Sequence, residues 1–239
     1  MGTRISGELG YQYGEEGLPE GTIELKLTGT AGQSLGAFLS PGIRMILTGE
    51  ANDYVGKGMS GGEIIVRPPA KRGFVPHKNV IVGNTVLYGA SGGHLFINGC
   101  AGERFAVRNS GAIALVEGIG DHGCEYMTNG TVIILGGTGK NFGAGMTGGV
   151  AYVLDWYDSF PTRYNPELIK HERISAPEEI TLLQSLIYRH LEETESQRAW
   201  EILADWPGHL AKFWKVSPKS GPPKPVETVL IAADTASPV

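Results

Sequence analysis

Five consecutive residues, Asp121-His122-Gly123-Cys124-Glu125, put a carboxylate, an imidazole, a thiol and a second carboxylate into one short stretch. Such side chains bind metals or carry protons, and His94 and Cys100 fall nearby in the repeat described below. A metal centre needs at least three converging ligands with groups behind them to fix their orientation. Consecutive residues on a strand or turn diverge, so this spacing argues against a metal. Only Cys100 and Cys124 are present, which excludes a disulfide scaffold or a four-thiolate cluster within this chain. Cys124 is expected to be a small buried side chain rather than a nucleophile. Asp121, His122 and Glu125 are the candidates for a small-molecule site. No catalytic, cofactor-binding or metal-binding residue is assigned.

The overlapping run Gly118-Ile-Gly120-Asp-His-Gly123 is a literal GxGxxG. That fingerprint binds a dinucleotide only where a strand turns into a helix whose first amides meet the pyrophosphate. Ile113 to Leu115 could supply the strand, but Cys124 to Gly130 cannot supply a helix before the next strand begins. A turn of the repeat explains these glycines better. Asp53 and Asp121 share one repeat position, with Asn84 between them. They lie three repeats apart, ~14 Å at sheet spacing, beyond the roughly 5–9.5 Å of paired glycosidase carboxylates. No Gly-x-Ser-x-Gly, HExxH or P-loop pattern occurs.

The elements that would position these residues are repeats. Short alternating runs open at Gly21, Gly42, Gly62, Gly93, Gly111, Gly130 and Gly149, separated by 21, 20, 31, 18, 19 and 19 residues. The long interval contains Pro68, Pro69 and Pro76, read as a surface loop because proline cannot donate to a ladder. Aligned on the glycines, Ser40, Ser60, Ser91, Asn109, Thr128 and Thr147 form a small polar column. Beside it stand Leu39, Met59, Ala90, Arg108, Met127 and Met146, apolar except at Arg108. Alternate positions after the glycine are apolar, as for a strand with one buried face. A unit of about nineteen residues is too short for a propeller blade, which needs ~40–45. It fits an all-β fold, a parallel β-helix of about seven coils with glycine corners.

Of the 36 glycines only Gly208 and Gly221 come after Gly149, so a second regime follows the repeats. The expected organisation is a lead-in over 1–20, the β-helix over 21–155, a helical extension over 156–216 and a disordered tail over 217–239. Ser175-Ala-Pro177-Glu178 reads as a capping box, with Ile180, Leu183, Ile187 and Leu191 on the apolar face of the helix it opens. A second helix buries Ala199, Ile202 and Leu203 and stops at Pro207-Gly208, with Phe213 and Trp214 as anchors. The 20 Lys and Arg against 25 Asp and Glu give a net charge of -5, which argues against a nucleic-acid partner. No apolar run reaches the roughly 20 residues of a membrane helix.

Longer blocks carry a family resemblance. Ala31-Gly-Gln-Ser-Leu-Gly-Ala-Phe38, Asn52-Asp-Tyr-Val-Gly-Lys-Gly-Met-Ser-Gly-Gly62, Gly102-Glu-Arg-Phe-Ala-Val-Arg-Asn-Ser110, Gly118-Ile-Gly-Asp-His-Gly-Cys-Glu-Tyr-Met127 and Asn141-Phe-Gly-Ala-Gly-Met-Thr-Gly-Gly149 resemble the carboxy-terminal GXGXG domain of the glutamate synthase large chain. The resemblance spans residues 5–215, and Gly73-Phe-Val-Pro76 with Phe213-Trp214 looks more like the ferredoxin-dependent branch.

It implies a right-handed β-helix inside an enzyme that makes glutamate from glutamine, 2-oxoglutarate and reductant, in the cytoplasm or the plastid stroma. It also implies that FMN and a three-iron cluster sit in other domains, with no cofactor in this chain. The expected partners are the amidotransferase and FMN-binding domains, which a stiff β-helix would hold in place without an active site of its own. A free-standing assembly subunit like the β-helix of formylmethanofuran dehydrogenase, or a small-molecule-binding β-helix, are the alternatives. Arg104 and Arg108 break the apolar pattern, and pairing with Glu103, Asp121, Glu125 or an absent domain is expected of them. The oligomeric state is left open.

Overall fold

The apolar, β-branched runs after the corner glycines all become strands in the computed structural model, which describes residues 2–14 and 16–219. Helix α1 (Thr3–Tyr13) comes first. Strands β1 (Ile23–Thr30), β2 (Ile43–Glu50), β3 (Ser60–Arg67), β4 (Val80–Val82), β5 (Gly92–Ile97), β6 (Cys100–Ala101), β7 (Ser110–Val116), β8 (Thr128–Ile134) and β9 (Gly148–Leu154) follow. The chain continues with β10 (Ile169–Arg173), α2 (Pro177–Thr194), α3 (Gln197–Ala204), α4 (Trp206–Leu210) and β11 (Phe213–Pro218).

Strands β1, β2, β3, β5, β7, β8 and β9 pair in that order, each parallel to the next. Partners lie 20, 19, 31, 19, 18 and 19 residues apart, so every strand is one turn of a parallel β-solenoid with seven turns. At ~4.8 Å per turn the stack is ~29 Å tall. The extra length between β3 and β5 is taken up by a largely exposed loop at 69–75 and by β4, which pairs with β6 in a second short sheet.

Inward side chains stack in register. Met45, Ile64, Leu95, Ala114, Val132 and Ala151 make one ladder, and Leu47, Val66, Ile97, Val116, Ile134 and Val153 make the next. All are buried in one continuous core, and a fully buried aliphatic side chain contributes about 1.5–3 kcal/mol. The expectation of one buried strand face needs correction. Ile65, Phe96, Leu115, Ile133 and Tyr152 face outward and are buried too, beneath α2 and α3. This is why Ile64-Ile65-Val66 and Val132-Ile133-Ile134 are continuous apolar runs, the pattern of strands covered on both faces.

The opposite wall of each turn has an unusual backbone. In six successive turns, three alternate residues have positive φ: 34, 36 and 38, then 54, 56 and 58, then 85, 87 and 89, then 104, 106 and 108, then 122, 124 and 126, then 141, 143 and 145. Their amides alternate in direction. Thr85 and Gly89 donate forward to Glu103 and Val107, while Leu87 donates back to Val55. The middle residue of each triplet is buried, so Cys124 occupies the inward place held by Gly56, Leu87 and Ala106 elsewhere.

One corner register differs from the glycine-anchored alignment. Ser110 N–H donates to Ala90 and Thr128 N–H to Asn109, so Asn109, not Arg108, stacks with Leu39, Met59, Ala90 and Met127. The turn at β7 therefore begins at Ala112 rather than Gly111. The buried Asn109 side chain folds back onto Ala112 N–H and C=O, both at 2.9 Å.

Each end of the stack is treated differently. At the start, Leu9 of α1 packs on the core, Thr3 Oγ1 donates to Ala37 O at 2.8 Å, and Ser40 N–H donates to Ser6 Oγ at 3.1 Å. At the far end β11 lies antiparallel on β9, and β10 antiparallel on β11. Helix α2 begins at Pro177 with Ala176 as its N-cap and no side-chain cap, so the Ser175 capping box does not form. Leu183, Leu186, Ile187 and His190 are buried along α2, and Ala199 and Ile202 along α3. Pro207 sits in the first turn of α4, which Asp205 caps through Gly208 N–H. Strand β11 includes Ser217 and Pro218, and 220–239 of the expected tail lie outside the described residues.

Candidate functional site

The solenoid turns separate the sequence cluster at 121–125. Asp121 Oδ1 accepts Lys140 N–H of the next turn at 2.6 Å. Asp53 Oδ1 likewise accepts Asn84 N–H at 2.7 Å, and Asn84 Oδ1 accepts Glu103 N–H at 2.8 Å. These side chains are rungs that tie one turn to the next. The alternate glycines leave room for them: a Cβ on Gly83, Gly102 or Gly139 would collide with Asp53, Asn84 or Asp121. The GxGxxG glycines serve packing as well. A Cβ on Gly118 would meet Cys100 Sγ at 2.8 Å, one on Gly120 would meet Glu103, and one on Gly123 would meet Phe142. A run of turns and then β8 follows them, not a helix.

His122 and Glu125 are brought together. His122 Nδ1 lies 2.7 Å from Glu125 Oε1, which also accepts Asn141 Nδ2 at 2.9 Å. Asn141 Oδ1 in turn accepts Asn165 Nδ2 at 3.0 Å. The imidazole–carboxylate pair is a surface clasp that orders the left-handed wall, and Asp121 points away from it to its own rung. Arg104 and Arg108 sit at left-handed positions with exposed side chains, and only their backbone amides reach Asp121 and Glu125. Neither guanidinium makes the expected ion pair with Glu103, Asp121 or Glu125.

Burial holds both thiols in the protonated form, Cys100 raised to about 11 and Cys124 further still. Cys100 Sγ donates to His77 O at 3.3 Å, and Cys124 lies in the apolar interior. The two thiols therefore have the character of packing groups.

Two polar sites that the sequence pattern did not reveal lie where the helices meet the sheet. Glu63 is buried midway along β3, its carboxylate bound by Arg189 of α2 with Arg44 Nε 3.4 Å away. Burial raises its pKa, against the pull of Arg189 and Arg44. Arg44 also binds Glu193, so two arginines and two glutamates clamp α2 to β2 and β3. In the second site Glu117, just after β7, accepts from Ser196 Oγ at the start of α3, while His190 Nε2 lies 3.5 Å from the same carboxylate without a hydrogen bond to it. Ser196 Oγ accepts Ala199 N–H at 3.0 Å as the N-cap of α3, and Asn98 Nδ2 donates to Thr194 O at 2.9 Å. An acid inside an apolar run, as in Gly62-Glu-Ile-Ile-Val66 and Leu115-Val-Glu117, was the available signal.

His94 neighbours the first clamp, stacked on Phe96 with ring centroids 6.3 Å apart. Burial lowers its pKa to about 4, helped by the charge of Arg189. The unfolded chain binds a proton near pH 6.5 that the folded chain refuses until about 4. Stability from neutral His94 is thus complete above 6.5 and lost progressively as pH falls through that window. Urea midpoints near neutrality and at about pH 5 check this. His94→Gln is expected to narrow the difference between them, and an undiminished difference would assign the acid sensitivity elsewhere.

The GXGXG motif family matches residues 1–219. The chain is 53% identical over 219 residues to the NADH glutamate synthase of Schizosaccharomyces pombe, covering 92% of the chain and 10% of that protein. It is 54% identical over 220 residues to ferredoxin-dependent glutamate synthase 2 of Synechocystis, and 51% over 220 residues to the NADPH glutamate synthase large chain of Bacillus subtilis. Each of those alignments covers 92% of the chain and 14% of the relative. The chain therefore spans only about a tenth to a seventh of these relatives. Relatives named for ferredoxin, NADH and NADPH match at 51–54%, so the electron donor is not distinguished. With a match over residues 1–219, the chain belongs to the GXGXG motif family.

Proposed function

We propose that this chain acts as the stiff, non-catalytic spacer of a glutamate synthase. It would hold an amidotransferase domain and an FMN-binding domain at fixed separation while glutamine and 2-oxoglutarate become glutamate. The observation that carries this reading is the seven-strand parallel sheet, whose register shifts only near the corners, joined on the other wall by a second hydrogen-bonded ladder of left-handed triplets. A column paired on two walls resists bending, and passing ammonia between two sites demands fixed geometry. The relatives that match over 92% of the chain are glutamate synthases, which supports placing it in that enzyme. The polar residues found here spend their hydrogen bonds on adjacent turns and on the helices, which suits a strut.

FMN and the three-iron cluster then belong to other domains, since two buried, protonated thiols make a poor cluster donor set. The site of action follows the enzyme, the cytoplasm or the plastid stroma. Among the described residues no helix is long and apolar enough to cross a membrane.

The test uses a glutamate synthase that carries this chain as its GXGXG segment. Deleting Ile23–Gly42 removes one whole turn, because Ile23 and Ile43 are register partners, and shortens the column by ~4.8 Å. Glutamine hydrolysis is expected to continue while glutamate formed per glutamine consumed falls. Unchanged coupling in the shortened enzyme, or glutamine hydrolysis by the purified 239-residue chain alone, would overturn the spacer reading.

A further inference from the structure

A groove of about 1000 Å³ runs between α2 and α3 and past Arg189 to Glu20 and His94 at the sheet. Its walls are Tyr188 and Trp200, 54% and 60% exposed, over Leu191 and Leu203. Leu191 and Leu203 also pack against the core beneath the helices, whereas Tyr188 and Trp200 stand outside it and leave more than half of their surface open. Exposed aromatic pairs over an apolar floor are the usual anchors of protein interfaces.

Charge supplies the second observation. The last turn of α2 contains no basic residue but carries Glu192 and Glu193, with Glu195 as the C-cap. Carboxylates at the negative end of a helix are unfavourable, each by about 0.3–1 kcal/mol. Arg44 answers Glu193 and Arg67 answers Glu195. Glu192 is exposed, lines the groove and has no ion-pair partner among the described residues. Arg189 also lines the groove, but Glu63 already holds it and Glu20 reaches it only at 3.6 Å, so the acids outnumber the one cation there.

We infer that the groove docks a basic amphipathic helix of a protein partner. Its apolar side chains would seat between Tyr188 and Trp200, and a Lys or Arg would meet Glu192. A helix fits because two packed helices present ridges and a trough, with no open strand edge to extend. This inference goes beyond the spacer reading, which would stand if the groove bound nothing.

The test is fluorescence anisotropy of the 239-residue chain with a labelled Leu/Lys amphipathic peptide about five helical turns long. A Leu/Glu peptide of the same pattern is the control. Saturable binding of the Leu/Lys peptide is expected, weakened at least about tenfold by Trp200→Ala and by Glu192→Lys. Glu8→Lys, an exposed acid on α1, makes the same charge change elsewhere and should leave the affinity unaltered. Tyr188→Ser provides a second aromatic variant, and thermal midpoints confirm that each variant is folded. Absence of binding, equal binding of the Leu/Glu peptide, or equal affinity in Trp200→Ala, Tyr188→Ser and Glu192→Lys would overturn the proposal.

Discussion

Gly130→Val is expected to lower the thermal midpoint by about 10 °C, the consequence of losing about 4 kcal/mol in a chain of this size. Gly130 opens the turn at β8 with φ +92. A Cβ there would stand 2.5 Å from Ala112 O and 2.8 Å from Asn109 Nδ2. A β-branched residue at such a φ costs about 1–3 kcal/mol on its own. The carbonyl it would strike belongs to the turn below, so the strain cannot be relieved without parting two rungs of the ladder. Asn109 Nδ2 also holds Ala112 O, and that corner bond would be lost with it. Gly137→Val is the control, because Gly137 is exposed and a Cβ there meets nothing within 4 Å. Its midpoint should move by less than about 0.5 kcal/mol equivalent. Far-ultraviolet circular dichroism melts decide the matter, and a Gly130→Val midpoint within a degree or two of Gly137→Val would refute this register.

The stack itself was legible in the sequence because solenoid turns repeat their side-chain demands. Alternate apolar residues after each corner stack on their copies, so Ile64, Leu95 and Val132 fall in one ladder however they are aligned. Glycine is an imperfect anchor for the register. At β7 the corner needs only a small residue, Ala112 serves, and Gly111 misleads by one position. The left-handed wall was harder to read. Glycine marks it at Gly56 and Gly58 or at Gly143 and Gly145, but Arg104, Ala106 and Arg108, then His122, Cys124 and Tyr126, take the same positive φ with ordinary side chains. There, backbone hydrogen bonds to adjacent turns outweigh the local cost of a positive φ. The alternation also explains why 121–125 looked chemical: Cys124 faces the interior while His122 and Glu125 lie on the wall.

The helical layer left a fainter trace. Nothing local in Glu63, Arg189 or His190 predicts their meeting, since sequence separations of 126 and 73 residues divide Arg189 from Glu63 and His190 from Glu117. Only tertiary packing brings α2 across the sheet. Continuous apolar runs in β3 and β8 are the trace of that cover, at odds with the expectation of one buried face, and the helices after Pro177 supply it.

Replacing Arg189 with alanine tests that layer most severely. Glu63 has a side chain only 4% exposed, and removing one partner of a buried ion pair costs about 3–5 kcal/mol. Arg44 remains at 3.4 Å, which keeps the loss toward the lower end. The pH dependence separates charge from packing. Burial already raises Glu63 above its unfolded value of 4.5, and Arg189 heads the groups that oppose the rise. Without it the folded carboxyl climbs further, so between 4.5 and that value the folded chain holds a proton that the unfolded chain has released. Stability then falls as pH rises through the window, and the full deficit appears above it.

His94 shifts in the same sense, because Arg189 also helps hold its pKa down, and the variant should resist acid better there. The gap between Arg189→Ala and the parent chain is therefore expected to be wider near pH 8 than at about pH 5 in urea titrations. Adding Glu63→Gln should restore part of the stability at the higher pH and flatten the difference. A double variant as unstable as the single one would place the loss instead in the packing of the guanidinium 5.1 Å above Phe96.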